Sequence, residues 1–346
     1  MNYCVQHKYY CGVDLHARSM YLCILDQEGK VLVHKDLPTD ADRFLEVVAP
    51  YMEDLVVAVE CMFSWYWLAD VCQDNGIKFV LGHALYMRAI HGGKAKNDRI
   101  DSYKIACLLR GGMIPMAYVY PRKLRATRDL LRRRMYFTRH RAELIAHIRN
   151  TSTQYNLDEI EGRLDRSGNW PGVAEHFPAE DVRKSVEADL TMIAHMTQLQ
   201  GELEWYLEKT ARAHDYQSFA LLQSVPGIGT IIGLVILYEI DTIERFGRVQ
   251  QFLSYGRLVK CAHESAGKIR GTGGNKIGNA YLKWAFSEAA VLFLRGNERA
   301  QKYVKRLESK HGKGKSLSIL AARLARAVYY MLKRKEAFQM DRFFAA

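Results

Sequence analysis

Four carboxylates, Asp14, Glu60, Asp98 and Asp101, have the types and placement for metal-assisted work on phosphodiesters. Asp14 ends the apolar run Tyr9-Tyr10-Cys11-Gly12-Val13, and Glu60 ends a second run, Leu55-Val56-Val57-Ala58-Val59. Asp98 and Asp101 stand three apart at the start of a helical stretch, a spacing that points both side chains the same way. Carboxylates delivered to the ends of neighbouring strands repel one another, and divalent cations between them offset that cost. Such a cluster can hold two Mg2+ ions that activate a nucleophile and stabilise a leaving oxygen. Taken singly, each of these residues reads as a solvated surface charge. They gain weight only as a set.

The elements that must position them follow from the apolar pattern. Tyr10–Asp14, Met20–Leu25 and Lys30–Lys35 read as three strands of a meander, with a turn at Asp26-Gln27-Glu28-Gly29. Thr39–Met52 has helical spacing, Leu55–Glu60 is a fourth strand, and Trp65–Gly76 is a helix closed by Asn75-Gly76. Ile77–Leu81 is a fifth strand, and the helix carrying Asp98 and Asp101 follows. The order β-β-β-α-β-α-β-α predicts an α/β RNase H-like (RuvC-like) sheet in which the first strand is central and the fourth lies beside it. Their ends would share a crevice.

From Pro121 to about Tyr155 the chain is basic and helical, with Arg128, Arg132 and Arg133 among many arginines. This density predicts a nucleic-acid contact, although a basic helix is often only a solvated face. A second, more acidic helical stretch runs from Ala179 to His214 with near-heptad apolar spacing, joined to the first through Gly162–Pro178. Opposite charge bias predicts an antiparallel coiled-coil arm; an ordinary helical bundle fits the same pattern. Beyond Phe219, Val225-Pro226-Gly227-Ile228-Gly229 lies between two helical runs. It reads as a helix-hairpin-helix-like turn whose glycines, Gly227 and Gly229, let the backbone approach a phosphate, or as a plain helix–helix turn. Ser265 lies in a loop flanked by Arg257, Lys260, Lys268, Arg270 and Lys276, which are expected to position a phosphate. Read alone it is a plain loop serine, without the Gly-x-Ser-x-Gly elbow of a hydrolase. His263, two residues away, is a candidate base or an exposed histidine. Gly312–Ser316 imitates the end of a phosphate loop, but Ser309 stands where that pattern needs glycine, and it reads as a basic turn. A final helix is expected over Leu317–Phe338.

Bulk composition agrees with a polyanionic partner. Among 346 residues, 50 Lys and Arg outnumber 38 Asp and Glu, a formal charge of +12. No stretch is apolar enough to span a bilayer, and the first residues carry no secretory apolar core, so a cytoplasmic protein is expected. The seven scattered cysteines read as reduced core thiols, and no zinc-site spacing occurs.

With these motifs in hand, the chain resembles the insertion-sequence "one-ten" family of transposases, which pair an N-terminal DEDD RuvC-like domain with a C-terminal serine domain. The resemblance covers nearly the whole chain. It rests on Gly12-Val13-Asp14, Val59-Glu60 and Lys96-Asn97-Asp98-Arg99-Ile100-Asp101-Ser102 in the first half. In the second half it rests on Val225–Gly229, Tyr255-Gly256-Arg257-Leu258-Val259, Ser265, Lys276–Asn279 and Leu282. The chain departs from the family pattern at Cys61–Ser64, Ser102 and Ala266. The resemblance implies a RuvC-like domain over residues 1–120, a basic helical coiled-coil region over 121–215 and a mainly α-helical serine transposase domain over 216–346. It implies that Asp14, Glu60, Asp98 and Asp101 bind Mg2+ and that Ser265 forms a covalent phosphoserine link to DNA. It further implies donor and target DNA chosen by a structured bridge RNA, a dimer or tetramer with composite active sites, and a prokaryotic, nucleoid-associated location. Two other readings stay open on the residues alone. One is a metal-dependent nuclease or junction resolvase using water, and the other a nucleic-acid scaffold without activity.

Overall fold

The computed structural model describes residues 2–90, 97–273 and 277–345. The chain forms two compact units, Met1–Arg122 and Lys123–Ala346.

The first unit is built on a five-stranded sheet of β1 (Tyr9–Leu15), β2 (Ser19–Leu25), β3 (Val31–Pro38), β4 (Leu55–Glu60) and β5 (Lys78–Gly82), in the order β3-β2-β1-β4-β5. β1 pairs antiparallel with β2 and parallel with β4, and β4 pairs parallel with β5. Cys11, Val13, Val56, Val57, Ala58 and Val59 are buried. A strand covered on both faces needs such an unbroken apolar run. Each unbroken run stops at an acid, Asp14 next to the last residue of β1 and Glu60 at the end of β4.

Among the described residues, four helices complete the unit: α1 (Ala41–Val48), α2 (Trp65–Asp74), α3 (Ala84–Ile90) and α4 (Asp98–Arg110). The Asp40 side chain caps α1 by accepting from the Arg43 N–H. The helix expected over Thr39–Met52 gives way at Ala49 to a 3-10 turn, Ala49–Asp54, where Pro50 has no N–H to continue it. α3 had no clear periodicity in the sequence. α4 lies directly on β1, and Gly12 makes that approach possible. A Cβ there would stand 2.3 Å from both the Ala106 nitrogen and the Ser102 oxygen, both backbone atoms.

The second unit is helical. α5 (Arg122–Gln154) and α6 (Glu180–Gln223) run antiparallel. Arg134 pairs with Glu204, Gln200 donates to Thr138, Arg141 donates to Thr197, and His147 meets Asp189, so α6 numbers fall as α5 numbers rise. The opposite charge bias of the two stretches is thus used between them. Ile148, Leu164, Phe177, Val186 and Ile193 form a small core beneath the connecting segment. The expected end of the second helix near His214 meets a real break: Asp215 has φ −149° and ψ 76°. Its carboxylate accepts from the Ser218 N–H and so caps the resumed helix.

The main core of this unit surrounds α7 (Thr230–Ile240), with α8 (Val249–Tyr255), a two-stranded hairpin of β6 (Cys261–Ser265) and β7 (Lys268–Gly273), α9 (Ala280–Phe293), α10 (Glu298–His311), α11 (Lys313–Arg334) and α12 (Met340–Ala345). The basic turn expected at Gly312–Ser316 is instead the start of α11. Only Gly312 is outside the helix, at φ +76°, and the buried Ser316 hydroxyl donates to its carbonyl. Among the described residues no helix is long and apolar enough to cross a membrane. Cys11, Cys23 and Cys72 are buried thiols, whereas Cys4 and Cys61 are exposed.

One buried ionic group organises this unit. Glu239, on the otherwise apolar α7, is 1% exposed. It accepts from Arg128 and Arg132 of α5 at 2.9 and 2.7 Å, and from Asn279 at 2.7 Å. Burial pushes its pKa up, but the Arg132 hydrogen bond, the two guanidinium charges and the Asn279 amide outweigh that and hold it below the usual value.

Two predictions follow from these contacts. Gly12→Ala is expected to destabilise the chain by about 1–3 kcal/mol through overpacking against backbone, measured by urea unfolding. Glu239→Ala, which takes the carboxylate away from the buried Arg128 and the partly buried Arg132, is expected to cost about 3–5 kcal/mol. Because its folded pKa is depressed, the Glu239 contribution is complete above the ordinary value of 4.5 and is lost as the pH falls below it. Unfolding free energies of the wild type and the alanine variant should therefore converge in acid.

Candidate active site

Val13 pairs with Val59, and the next residue of each strand is the acid, so Asp14 and Glu60 stand at matching positions; β4 ends there and β1 one residue further, at Leu15. In a parallel pair, residues at matching positions point to the same face. α4 brings the other acids. The Asn97 side chain caps that helix by accepting from the Ile100 N–H at 2.8 Å, which fixes Asp98 and Asp101 in its first turn. His34 of β3 lies 2.9 Å from the Arg99 carbonyl, and the buried Ser102 hydroxyl donates to the same carbonyl at 3.0 Å. Ser102, a departure from the family pattern, therefore helps hold the helix start in place. In the Cys61–Ser64 departure, the Ser64 hydroxyl donates to the Leu15 carbonyl at 3.2 Å and ties the end of β1 to the segment after Glu60.

Among the described residues, the donor atoms of Asp14, His16 and Asp98 lie within 4.8 Å of one another. His16 Nε2 is 3.4 Å from Asp14 Oδ2 and 3.6 Å from Asp98 Oδ1. Glu60 and Asp101 stand outside that tight set. Asp101 has Lys104 at 3.7 Å, yet it is near enough for its charge to act on Asp14. The pKa of Asp14 is raised, first by burial and then by Asp98 and Asp101, against the opposing pull of His16. A half-buried carboxylate crowded by two others, with an imidazole beside it, has the donor chemistry of a divalent-metal site. His16 escaped the sequence reading. Its signal was the spacing Asp14-Leu15-His16, since residues two apart at a strand end share a face.

Ser265 belongs to the second unit. It is the last residue of β6, pairs with Lys268, and is exposed. The segment expected to be a loop is a hairpin. Its two-residue turn has Ala266 at φ +51° and Gly267 at φ +71°, the left-handed pair that a tight hairpin requires. Lys268 and Arg270 of β7 and Lys260 just before β6 are exposed; Lys276 lies outside the described residues. His263 is opposite Gly271, and the register shifts immediately after it, so simple alternation does not carry from His263 to Ser265. Arg257 takes a left-handed φ of +54°, and its Nε donates to the Gly278 carbonyl at 2.8 Å.

Three of the residues expected to contact nucleic acid have partners inside the fold. Arg128 is 8% exposed and, with the partly buried Arg132, is engaged by Glu239, so both work inside the fold. Arg132 also lies over the Tyr281 ring at 4.5 Å. Gly227 faces protein: at φ +87°, a Cβ would stand 2.6 Å from the Phe293 nitrogen and 2.8 Å from the Ala289 oxygen. Its missing side chain admits the backbone of α9 rather than a phosphate. Gly229, in contrast, is exposed with open space around it, and Arg133 is exposed beside Tyr136.

Residues 11–157 match a DEDD transposase model of the IS110 type, and residues 219–305 match the model of the transposase IS116/IS110/IS902 family. The chain belongs to the IS116/IS110/IS902 family of transposases. It is also 22% identical over 335 residues to the transposase for insertion sequence element IS1111A of Coxiella burnetii (strain RSA 493 / Nine Mile phase I). That similarity covers 95% of this chain and 90% of the relative. The protein is thus an enzyme of DNA transposition. Its DEDD domain is a divalent-metal-dependent one, and the acidic crevice supplies donors suited to such an ion.

Asp14→Asn should separate stability from activity. Removing a crowded, partly buried charge is expected to raise Tm in metal-free buffer, while transposition falls about 100-fold or more. Calorimetry paired with a strand-transfer assay checks both.

Proposed function

We propose that this transposase is an insertion-sequence recombinase that cleaves and rejoins DNA through a covalent phosphoserine link at Ser265. One observation carries the reading: each unit presents its own reactive group, Asp14 of β1 and Asp98 of α4 gathered with His16 in one and an exposed serine beside a lysine in the other. The strand order supports an RNase H-like (RuvC-like) fold for the first domain, assigned to residues 1–120. The basic helical region, 121–215, would form the arm, and 216–346 the serine domain.

In this reading Asp14, Glu60, Asp98 and Asp101 hold two Mg2+ ions, with His16 beside them. When bound, Mg2+ supplies positive charge against the oxyanion that develops at phosphorus. The chain supplies the rest. The Ser265 hydroxyl attacks a backbone phosphorus, its oxygen–phosphorus bond forms, and the bond to the departing strand oxygen breaks. That oxygen leaves as a DNA hydroxyl with a proton. A hydroxyl of the exchanged strand then attacks the phosphoserine and restores the Ser265 hydroxyl, so no external energy source is needed. Lys260, Lys268, Arg270 and Lys276, with Arg257 at the base of the hairpin, position the phosphate. Arg133 contacts nucleic-acid backbone, and Gly229, in a helix-hairpin-helix-like turn between α6 and α7, offers amide donors. A bridge RNA selects donor and target DNA. A dimer or tetramer joins the carboxylates of one protomer to the serine of another, in a prokaryotic cytoplasm.

The test combines the full chain, RNA transcribed from the non-coding flank of its gene, donor and target duplexes, and Mg2+. A covalent protein–DNA adduct that disappears in Ser265→Ala is expected. Cleavage without an adduct would favour a water-using nuclease or junction resolvase, and binding without cleavage a scaffold.

A further inference from the structure

The segment between α8 and α9 leaves the helical core at Tyr255, carries the serine hairpin and returns at Asn279. The hairpin is a two-stranded sheet of its own, and residues 264–268 at its tip are exposed. The feet of the segment are where it joins the helical core. Those feet are locked together. The Asn279 N–H donates to the Tyr255 carbonyl at 2.6 Å, and the Arg257 Nε donates to the Gly278 carbonyl at 2.8 Å. Gly278, at φ +101°, allows this closure: a Cβ would stand 2.6 Å from the Tyr255 oxygen.

Asn279 performs three tasks. Its side-chain oxygen caps α9 by accepting from the Tyr281 and Leu282 N–H groups at 2.9 and 3.0 Å. Its amide nitrogen donates to Glu239 Oε2 at 2.7 Å, and it lies 3.3 Å from the Tyr255 hydroxyl. Glu239 in turn is held by Arg128 and Arg132 of α5. A buried carboxylate that draws hydrogen bonds from three side chains has few alternative arrangements. It fixes Asn279 to α7 and α5 at once.

We propose that Glu239 is a positioning residue for Ser265: through Asn279 it clamps the feet of the hairpin segment, so that the exposed serine is presented in one orientation and is linked to the arm helix α5. This rests on the reading of Ser265 as nucleophile. A nucleophile misplaced by a small distance loses much of the advantage of intramolecular reaction. A loosened clamp should therefore slow attack while leaving DNA binding, which uses the surface cations, in place.

An amide–carboxylate exchange tests this. Asn279→Asp keeps the helix cap but turns the donor to Glu239 into a second carboxylate. Glu239→Gln combined with Asn279→Asp restores one amide and one carboxylate across the same contact. In the full chain, with the flank RNA, donor and target duplexes and Mg2+, Asn279→Asp is expected to slow adduct formation about 10- to 100-fold. DNA affinity should stay within about twofold, and amide exchange over residues 261–273 should quicken. The double variant is expected to recover at least part of the lost rate and the slower exchange. Urea unfolding of each variant, run alongside, separates a slower attack from a general loss of stability, which would lower DNA affinity and the unfolding free energy together. If Asn279→Asp forms adduct at the wild-type rate, or the double variant is no faster than the single, the inference is overturned. If the wild-type chain forms no adduct at all, the serine reading itself fails and takes the inference with it.

Discussion

The first unit depends on one close approach, that of the α4 backbone onto Gly12 of β1. Helices normally pack on sheets through side chains. Here the absent Cβ lets the backbone of Ser102 and Ala106 sit where a methyl group would be. That contact sets the height of the helix above the sheet, and the Asn97 cap sets where its first turn begins. Asp98 therefore arrives beside Asp14 although their charges repel. Burial first, and then the charges of Asp98 and Asp101, raise the Asp14 pKa against the pull of His16. Its chemistry is that of a cation receptor, in keeping with the DEDD transposase family to which the chain belongs.

The second unit solves the opposite problem. There a negative charge is buried on an apolar helix and surrounded by donors from α5 and the cap of α9. Breaking such a buried group is costly, whereas its presence adds little net stability. What it provides is a defined arrangement of three helices around the point where the serine hairpin departs. In each unit, then, a glycine allows two backbones to meet, and a charged group lies near the junction: Gly12 and Asp14 in one, Gly278 and Glu239 in the other.

Much of the fold was legible in the residues, for definite reasons. β1 and β4 were readable because strands buried on both faces require unbroken apolar runs, and an acid interrupts each run at its far end. The paired helices α5 and α6 were readable from length, spacing and opposite charge. The hairpin of residues 261–273 was not, because its short strands carry two glycines and exposed charges where apolar alternation would be the signal. Arg128 and Arg133 illustrate a different limit. In sequence both are arginines of one basic stretch, but they lie on different faces of α5, and the partner that buries Arg128 is far along the chain. Glu239 was the overlooked sign: a single acid in the otherwise apolar run Thr230–Ile240 must find cations or leave the core. His16 was missed for a simpler reason, since a histidine after a strand has many uses and only the fold shows it between Asp14 and Asp98.

The central claim is that the carboxylates and Ser265 work on one phosphodiester in the assembled complex. The most direct measurement is a crystal structure of the chain with its RNA and DNA grown in Mn2+, with anomalous scattering used to locate the metal. The account predicts manganese peaks between Asp14 and Asp98, with the Ser265 oxygen at bonding distance from a DNA phosphorus beside them, in the same or a neighbouring protomer. Peaks absent from the acidic crevice, or a Ser265 remote from every phosphate while the DNA is cleaved, would contradict it.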